Sequence, residues 1–371
     1  MTTRRPTLVL LAALGLIAAA CSSAGPRTTA GTSASGTQPP DRDGLTRVGL
    51  RLEWTAFAPV TSGGSLANLD VLGDLLIAED SRGICSALSP VSGEVRWSTP
   101  LGGPTTRFVG NIRDGETILA CSETEVYFLD TLTGALVNRQ RFARVATTRP
   151  AHLGDRLVLG GAGNVVFAHS MASGFAAWTY TLLGPIDVAP AVLNPSAVAV
   201  ASRTGDVLII DPASGGALTR MAMFDGPGGN IAASEDTVFI ASRDQSVYAF
   251  RAGDSQVAWR ARTDSALAGA STFASGRVFA VVPSLGLTAF DARTGLILWS
   301  ASTVAGDVIA TRAGNLLAWD GKEAVLLDAV RGDVIGRALL PGIDQLTPDR
   351  QEMTALYATT RAGVIHKLLP R

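Results

Sequence analysis

The sequence predicts an all-β fold, an eight-bladed β-propeller of four-stranded antiparallel blades, on three observations. A thirteen-residue pattern of strand, Gly-bearing turn and second strand recurs seven times. It reads CSALSPVSGEVRW at 85–97, VYFLDTLTGALVN at 126–138, VFAHSMASGFAAW at 166–178 and VLIIDPASGGALT at 207–219, then VYAFRAGDSQVAW at 247–259, LTAFDARTGLILW at 287–299 and AVLLDAVRGDVIG at 324–336. The starts are 41, 40, 41, 40, 40 and 37 residues apart, and a period near forty carried by strands marks a propeller with one blade per repeat. The third observation concerns the ends. Another copy opens at Val364 (VIHKL), 40 residues after Ala324, and stops before its last strand, whereas LRLEW, ending at Trp54, is such a strand with no partner. Pairing the two ends closes a ring of eight blades and leaves no open edge; seven blades is the alternative if the final half-repeat packs irregularly.

Within a repeat, the opening apolar run, such as Val126 to Leu129, suits a strand buried on both faces. Asp130, Thr133 and Gly134 then form a turn in which Asp accepts from the turn's own backbone and Gly takes the positive φ of a tight hairpin. The second strand ends on Trp97, Trp178, Trp259 or Trp299, with Trp54 in the same phase. An aromatic of this size, once per blade, is read as packing across the blade-to-blade seam. Asn138, Thr219 and Gly336 replace it in three repeats and are read as degenerate seams. Turn signals such as Asp114-Gly115, Gly154-Asp155 and Ser275-Gly276 join two further strands in each blade.

Residues 1–20 read as a lipoprotein signal peptide. Arg4 and Arg5 precede an apolar run of 13 residues, Leu8 to Ala20, shorter than the roughly 20 needed to span a bilayer. The run ends in Ala18-Ala19-Ala20-Cys21, which resembles the lipobox of bacterial lipoproteins, with Ala18 where Leu is usual. That resemblance implies lipidation of Cys21; ordinary cleavage near Ala20 is the other reading. Residues 21–47 lack hydrophobic bulk and read as a flexible tether, and 48–371 as the propeller domain. The predicted location is extracytoplasmic, on a bacterial membrane.

The formal net charge is −1, and removal of residues 1–20 takes it to −3. That balance argues against a nucleic-acid partner, which calls for a concentrated basic face. Cys85 and Cys121 remain in an oxidising compartment, either as an inter-blade disulfide or as two buried thiols.

The repeats VYFLDTLTG, VYAFRAGDSQVAW and LTAFDARTGLILW resemble the pyrroloquinoline-quinone-like propeller repeat over about 48–371. One branch of that superfamily, the quinoprotein dehydrogenases, holds a quinone and calcium beside a pair of adjacent cysteines; this chain has no adjacent cysteines. The plan of lipobox, tether and single propeller is similar to the BamB family of outer-membrane assembly lipoproteins. That resemblance implies an interaction scaffold without a cofactor or catalytic residues.

Among the residues themselves, His152, His169 and His366 share no metal-like spacing, and no phosphate loop or nucleophile elbow occurs. Asp130, Asp211, Asp291 and Asp328 recur at one repeat position, as turn-capping residues do. The hairpins before each motif share one axial face, and four carry Ser or Thr followed by Arg: Arg82, Arg203, Arg243 and Arg361. Guanidinium groups there would hold carboxylates or phosphates; Arg as an ordinary turn residue is the plainer alternative. Two further hairpins bring Leu285 and Trp319, the only Trp outside the seam register. This Arg, Leu and Trp composition is that of an interface hot spot, while Trp319 as local packing competes with it. Arg139, Arg141, Arg144 and Arg149 form a separate cluster; Arg139 and Arg141 alternate on one strand face, which reads as a solvated outer strand, with lipid head-group contact as the alternative. The function expected is a lipid-anchored, non-catalytic protein-interaction scaffold of the cell envelope that binds other envelope proteins; the alternative is a propeller binding a quinone or saccharide in its channel.

Overall fold

The computed structural model describes residues 39–254 and 256–371. The expected signal peptide and Cys21 lie outside them. Eight four-stranded antiparallel sheets make up the ring. The first blade is Leu66–Leu72, Leu75–Asp80, Ile84–Leu88 and Val95–Pro100, and six more follow the same order. The eighth combines Gln345–Pro348, Leu356–Thr359 and Val364–Pro370 with the N-terminal strand Leu50–Phe57, which pairs antiparallel from Leu50↔Pro370 to Phe57↔Val364. The predicted closure is therefore present.

First strands of neighbouring blades touch and form the inner wall; the fourth strands lie outermost. The chain alternates direction, so turns joining strands one–two and three–four emerge on one axial face, the turn face. Hairpins joining strands two–three and the blade-to-blade connections emerge on the other, the loop face. The middle strands are almost wholly buried, as in Val165–Ser170 and Thr237–Ser242, which accounts for their unbroken apolar runs. Eight apolar clusters fill the interior, one at each seam; Leu75, Ile77, Trp97, Ile118 and Tyr127, for example, join blades one and two. Residues 39–371 thus carry every described strand and every one of these clusters.

The seams have a common hydrogen bond. Trp97 donates through Nε1 to the Thr131 carbonyl at 3.0 Å, Trp178 to Pro212 at 2.9 Å, Trp259 to Ala292 at 2.8 Å and Trp299 to Ala329 at 3.2 Å. Each acceptor follows the first residue of the next blade's turn. The turn Gly lies flat on the indole: a Cβ on Gly295, at φ 73°, would sit 2.5 Å from Trp259. These glycines answer two demands, positive φ and close approach. Each third–fourth strand pair also carries a β-bulge just before the Trp position, as between Ala289 and Phe290. The repeat pattern had not revealed it.

The three repeats without Trp each have their own answer. Beside Asn138, Gln140 Nε2 donates to the Met171 carbonyl at 2.8 Å, the equivalent acceptor, and its Oε1 meets His169 Nε2 at 2.8 Å. Thr219 Oγ1 accepts from the Gly253 amide at 2.8 Å. Gly336 faces no turn at all. The eighth blade's third and fourth strands come from opposite chain ends, and the short helix Arg42–Arg47 occupies the turn's place. A Cβ on Gly336 would overlap the Arg47 carbonyl. Composition had placed Arg42–Arg47 in the tether. Instead Asp41 caps the helix, accepting from the Gly44 amide at 2.9 Å, and Leu45 and Val48 are fully buried. Trp54 packs against the blade-one turn without a partner for its N–H; Lys367 Nζ donates to the Pro90 carbonyl there at 2.7 Å.

Candidate partner-binding face

The loop face is assembled from a repeated hairpin. Ser202, Ser242 and Thr360 are buried, and their hydroxyls close the hairpins: Ser202 Oγ accepts from the Asp206 amide at 3.1 Å, Thr360 Oγ1 from the Val364 amide at 3.2 Å. In blade one Asp80 takes that role, accepting from the Arg82 and Ile84 amides at 2.9 and 2.8 Å. The Arg that follows reaches sideways to the connection entering its own blade. Arg203 pairs with Asp187, Arg243 faces Asp225 at 3.9 Å, Arg361 pairs with Asp344 at 3.1 Å, and Arg82 donates to the Gly63 carbonyl at 3.1 Å. The four guanidinium groups therefore share one face, three of them beside a carboxylate. Exposed pairs of this kind contribute at most about 1 kcal/mol each, and they leave the face mixed in charge.

Leu285 is exposed on the hairpin after Val282, 37% accessible. Trp319 is half-buried and packs against the cluster that includes Leu45 and Leu317. Of the remaining arginines, Arg139 and Arg141 both approach Glu125, at 3.6 and 3.2 Å, and Arg149 pairs with the buried Asp70.

Blades four and five hold the most developed part of the face. A cavity of about 430 Å³ opens there, lined by Asp187, Arg203, Asn230, Arg243, Asp307 and the backbone of Pro227 to Gly229. Burial raises the Asp307 carboxyl above its usual range, opposed by the Ala270 amide, which donates to it at 3.0 Å. Two exposed apolar side chains that the repeat pattern did not single out, Leu183 at 76% and Phe224 at 82% exposure, stand on the same segments that supply Asp187 and Pro227 to the cavity. Both lie in blade-to-blade connections, whose sequences vary too much to align. Phe224 is held by its surroundings: its amide donates to Asp244 at 3.1 Å, and the Arg260 guanidinium lies 5.1 Å from its ring. Arg260 also lies 5.0 Å from the Tyr248 ring and 3.6 Å from Asp244. A flat aromatic stacked under Arg beside a polar cavity offers both apolar area and directional hydrogen bonding.

A second polar group sits at the inner end of the seam between blades one and two. Asp70 accepts from Asn68 Nδ2 at 2.8 Å and from the Asn111 amide and side chain at 3.1 and 3.0 Å. Glu79 is fully buried next to it, and burial together with the Asp70 charge pushes its carboxyl up to about 8. One Glu79 oxygen and the Asn111 side-chain oxygen are buried without partners. A Glu79 that keeps its proton carries a donor into a pocket otherwise rich in acceptors.

His169 bonds Gln140 and His366 Nδ1 lies 2.9 Å from Thr55 Oγ1; burial lowers the pKa of both. Cys85 and Cys121 are free and buried, and burial raises both thiols. Among the described residues no three His, Cys, Asp or Glu side chains converge as metal ligands would.

Residues 203–360 match the family described as outer membrane protein assembly factor BamB. Among solved structures the fold is similar to BamB from Moraxella catarrhalis, at 18% identity over 86% of this chain and 97% of that one, TM-score 0.69. It is also similar to the computationally designed Ika8 protein (11% identity, 82% and 96% covered, TM-score 0.66) and to the C-terminal WD40 domain of Sif2 (11%, 85% and 99%, TM-score 0.66). At such identities the likeness is one of fold. No match is found among curated protein sequences. The resemblance of this chain to a pyrroloquinoline-quinone-like propeller of the BamB kind holds in both comparisons.

Proposed function

We propose that this chain is a non-catalytic interaction scaffold of the cell envelope, anchored through lipid on Cys21, that binds an envelope protein with its loop face over blades four and five. The observation that carries the reading is that the connections lining the cavity through Asp187 and Pro227 also expose Leu183 and Phe224, with Arg260 over the Phe224 ring. Support comes from the similarity to a protein described as an outer membrane protein assembly factor. Arg82, Leu285, Trp319 and Arg361 extend the same face but stand apart from the cavity, and contribute as rim contacts.

The test is recovery of partners from cross-linked envelope extracts. Leu183→Ala with Phe224→Ala lowers recovery at least tenfold, and Arg82→Ala with Arg361→Ala lowers it less than threefold. Equal recovery by all three proteins rejects the site. The cavity also has the volume of a small-ligand site; a quinone or saccharide that protects the chain against thermal unfolding, and loses that effect in Arg243→Ala, would replace the scaffold reading.

A further inference from the structure

We infer that the outer rim of the turn face is a lipid-contacting surface, on which the ring lies flat with its loop face turned away. The inference concerns a different surface from the proposed partner site; it rests on the anchor reading only for which membrane is met.

Exposed apolar residues are not spread evenly over the ring. Among the described residues, fourteen of the twenty-one large exposed hydrophobics lie in the turns before the outermost strands or at the first positions of those strands. All seven blades that possess such a turn supply at least one, with Phe175 at 75% and Leu296 at 68% exposure among them. The β-bulge is the cause of their outward direction. It places an extra residue before the Trp position, and that residue is Val137, Leu218, Leu298 and Ile335 in four blades. These four side chains keep between 46% and 70% of their area exposed, where a polar residue would fit the bulge equally well. Scattered exposed hydrophobics need no explanation, but a continuous band does.

The band is continuous on blades six and seven. Trp299 binds the blade-seven turn at Ala329, which brings Val330 beside Ile297 and Leu298, and Val334 and Ile335 follow on the next strand. The helix Arg42–Arg47 then abuts that strand, with Arg47 Nε donating to the Arg337 carbonyl at 3.2 Å. The N-terminal chain consequently joins the ring on this rim. The link from Cys21 to Asp41 is 20 residues in sequence, so on the anchor reading a lipid on Cys21 is tied to the ring at this rim. Arg42 and Arg293 stand exposed along the band, and Arg331 is exposed there beside Asp328 and Asp333; the first two are placed for phosphate headgroups while the apolar side chains enter the interface.

The experiment places the chain carrying Cys21→Ser on vesicles of phosphatidylethanolamine and phosphatidylglycerol, with a nitroxide on Leu298→Cys or on Phe224→Cys; the remaining native thiols, Cys85 and Cys121, are buried and spared. The expected result is lipid-phase oxygen accessibility at Leu298 and aqueous accessibility at Phe224. Aqueous accessibility at both, or lipid contact at Phe224, overturns the inference. The ring alone, from Pro39, co-floats with the same vesicles, and Leu298→Asp with Ile335→Asp lowers the bound fraction at least tenfold with an unchanged thermal melt. No flotation of the ring, or dispersal of a dimer by those substitutions on a sizing column, also overturns it. Acyl mass on Cys21 is read separately, so failure of the anchor leaves the ring result standing.

Discussion

The seams closed by an indole N–H and those closed without one make an instructive contrast. Between blades one and two, three and four, five and six, and six and seven, Trp fills the gap and its N–H reaches the neighbouring turn. Between blades two and three Gln140 reaches the same carbonyl, and between eight and one Lys367 does so beneath the Trp54 ring. What recurs is a donor for one turn carbonyl; the indole is the bulkiest way of supplying it. Between blades four and five Thr219 instead accepts from the Gly253 amide, and the seam between blades seven and eight has no turn to bond, because a helix takes its place.

The strongest way to break the contrast is to impose the majority residue on that exceptional seam. Gly336→Trp overlaps the Arg47 carbonyl and drives off the helix, exposing Leu45 and Val48 and loosening the closing strand. We expect a loss above about 4 kcal/mol, in the range of severe core disruption, and rapid proteolysis between Arg42 and Phe57. By comparison, Gly253→Ala meets nothing within 4 Å and carries only the strain of φ 86°, about 1–2 kcal/mol. Urea unfolding of both variants measures the difference; equal losses would mean that the helix is not what excludes a side chain at Gly336.

The second variant acts on the seam that keeps the hydrogen bond and discards the ring. Gln140→Leu leaves the Met171 carbonyl and the buried His169 imidazole without their partner. The cost is about 2–4 kcal/mol, one unsatisfied polar group for each. Adding His169→Leu recovers roughly half of it, since the carbonyl alone then lacks a donor. A loss below about 0.5 kcal/mol in Gln140→Leu by urea titration would show that solvent reaches this seam.

How much of this was open to sequence reading follows from what each feature repeats. Strands, turns, ring closure and the Trp register recur every forty residues, so their period exposes them. The bulge is invisible because it alters pairing and not residue type. Gln140 escapes notice because it lies two places beyond Asn138 and serves the same acceptor from a different position. The partner of His169 is equally hidden, since Gln140 lies 29 residues away on another blade. The Arg residues of the loop face were legible, their carboxylate neighbours were not, and Leu183 and Phe224 sit in connections of variable sequence. Arg42–Arg47 was taken for tether because a six-residue helix has too little periodicity to register against polar neighbours.

The smallest effect at neutral pH comes from the seam with the most connections, between blades one and two, where Trp97 closes the outer part and Asp70, Asn111 and Glu79 the inner. Desolvation raises the Glu79 carboxyl first, the Asp70 charge raises it further, and Asn68, Asn111 and the Arg149 charge oppose both. Its value of about 8 in the fold lies above the ordinary 4.5, so the folded chain binds a proton that the unfolded chain releases. The stabilisation is complete below pH 4.5 and is lost as pH rises through 8, by about 1.4 kcal/mol per pH unit within that window. His169 and His366, both lowered by burial, act in the opposite direction around their ordinary 6.5, and they cancel when two variants are compared. Glu79→Gln keeps an uncharged donor facing Asn111 and removes the titration. The stability gap between wild type and Glu79→Gln, from urea unfolding at pH 6, 7 and 8, therefore shifts in favour of the variant by up to tenfold in folding constant per pH unit. A gap independent of pH would mean that Glu79 is ionised in the fold and that the unpartnered Asn111 oxygen is answered by something other than its proton.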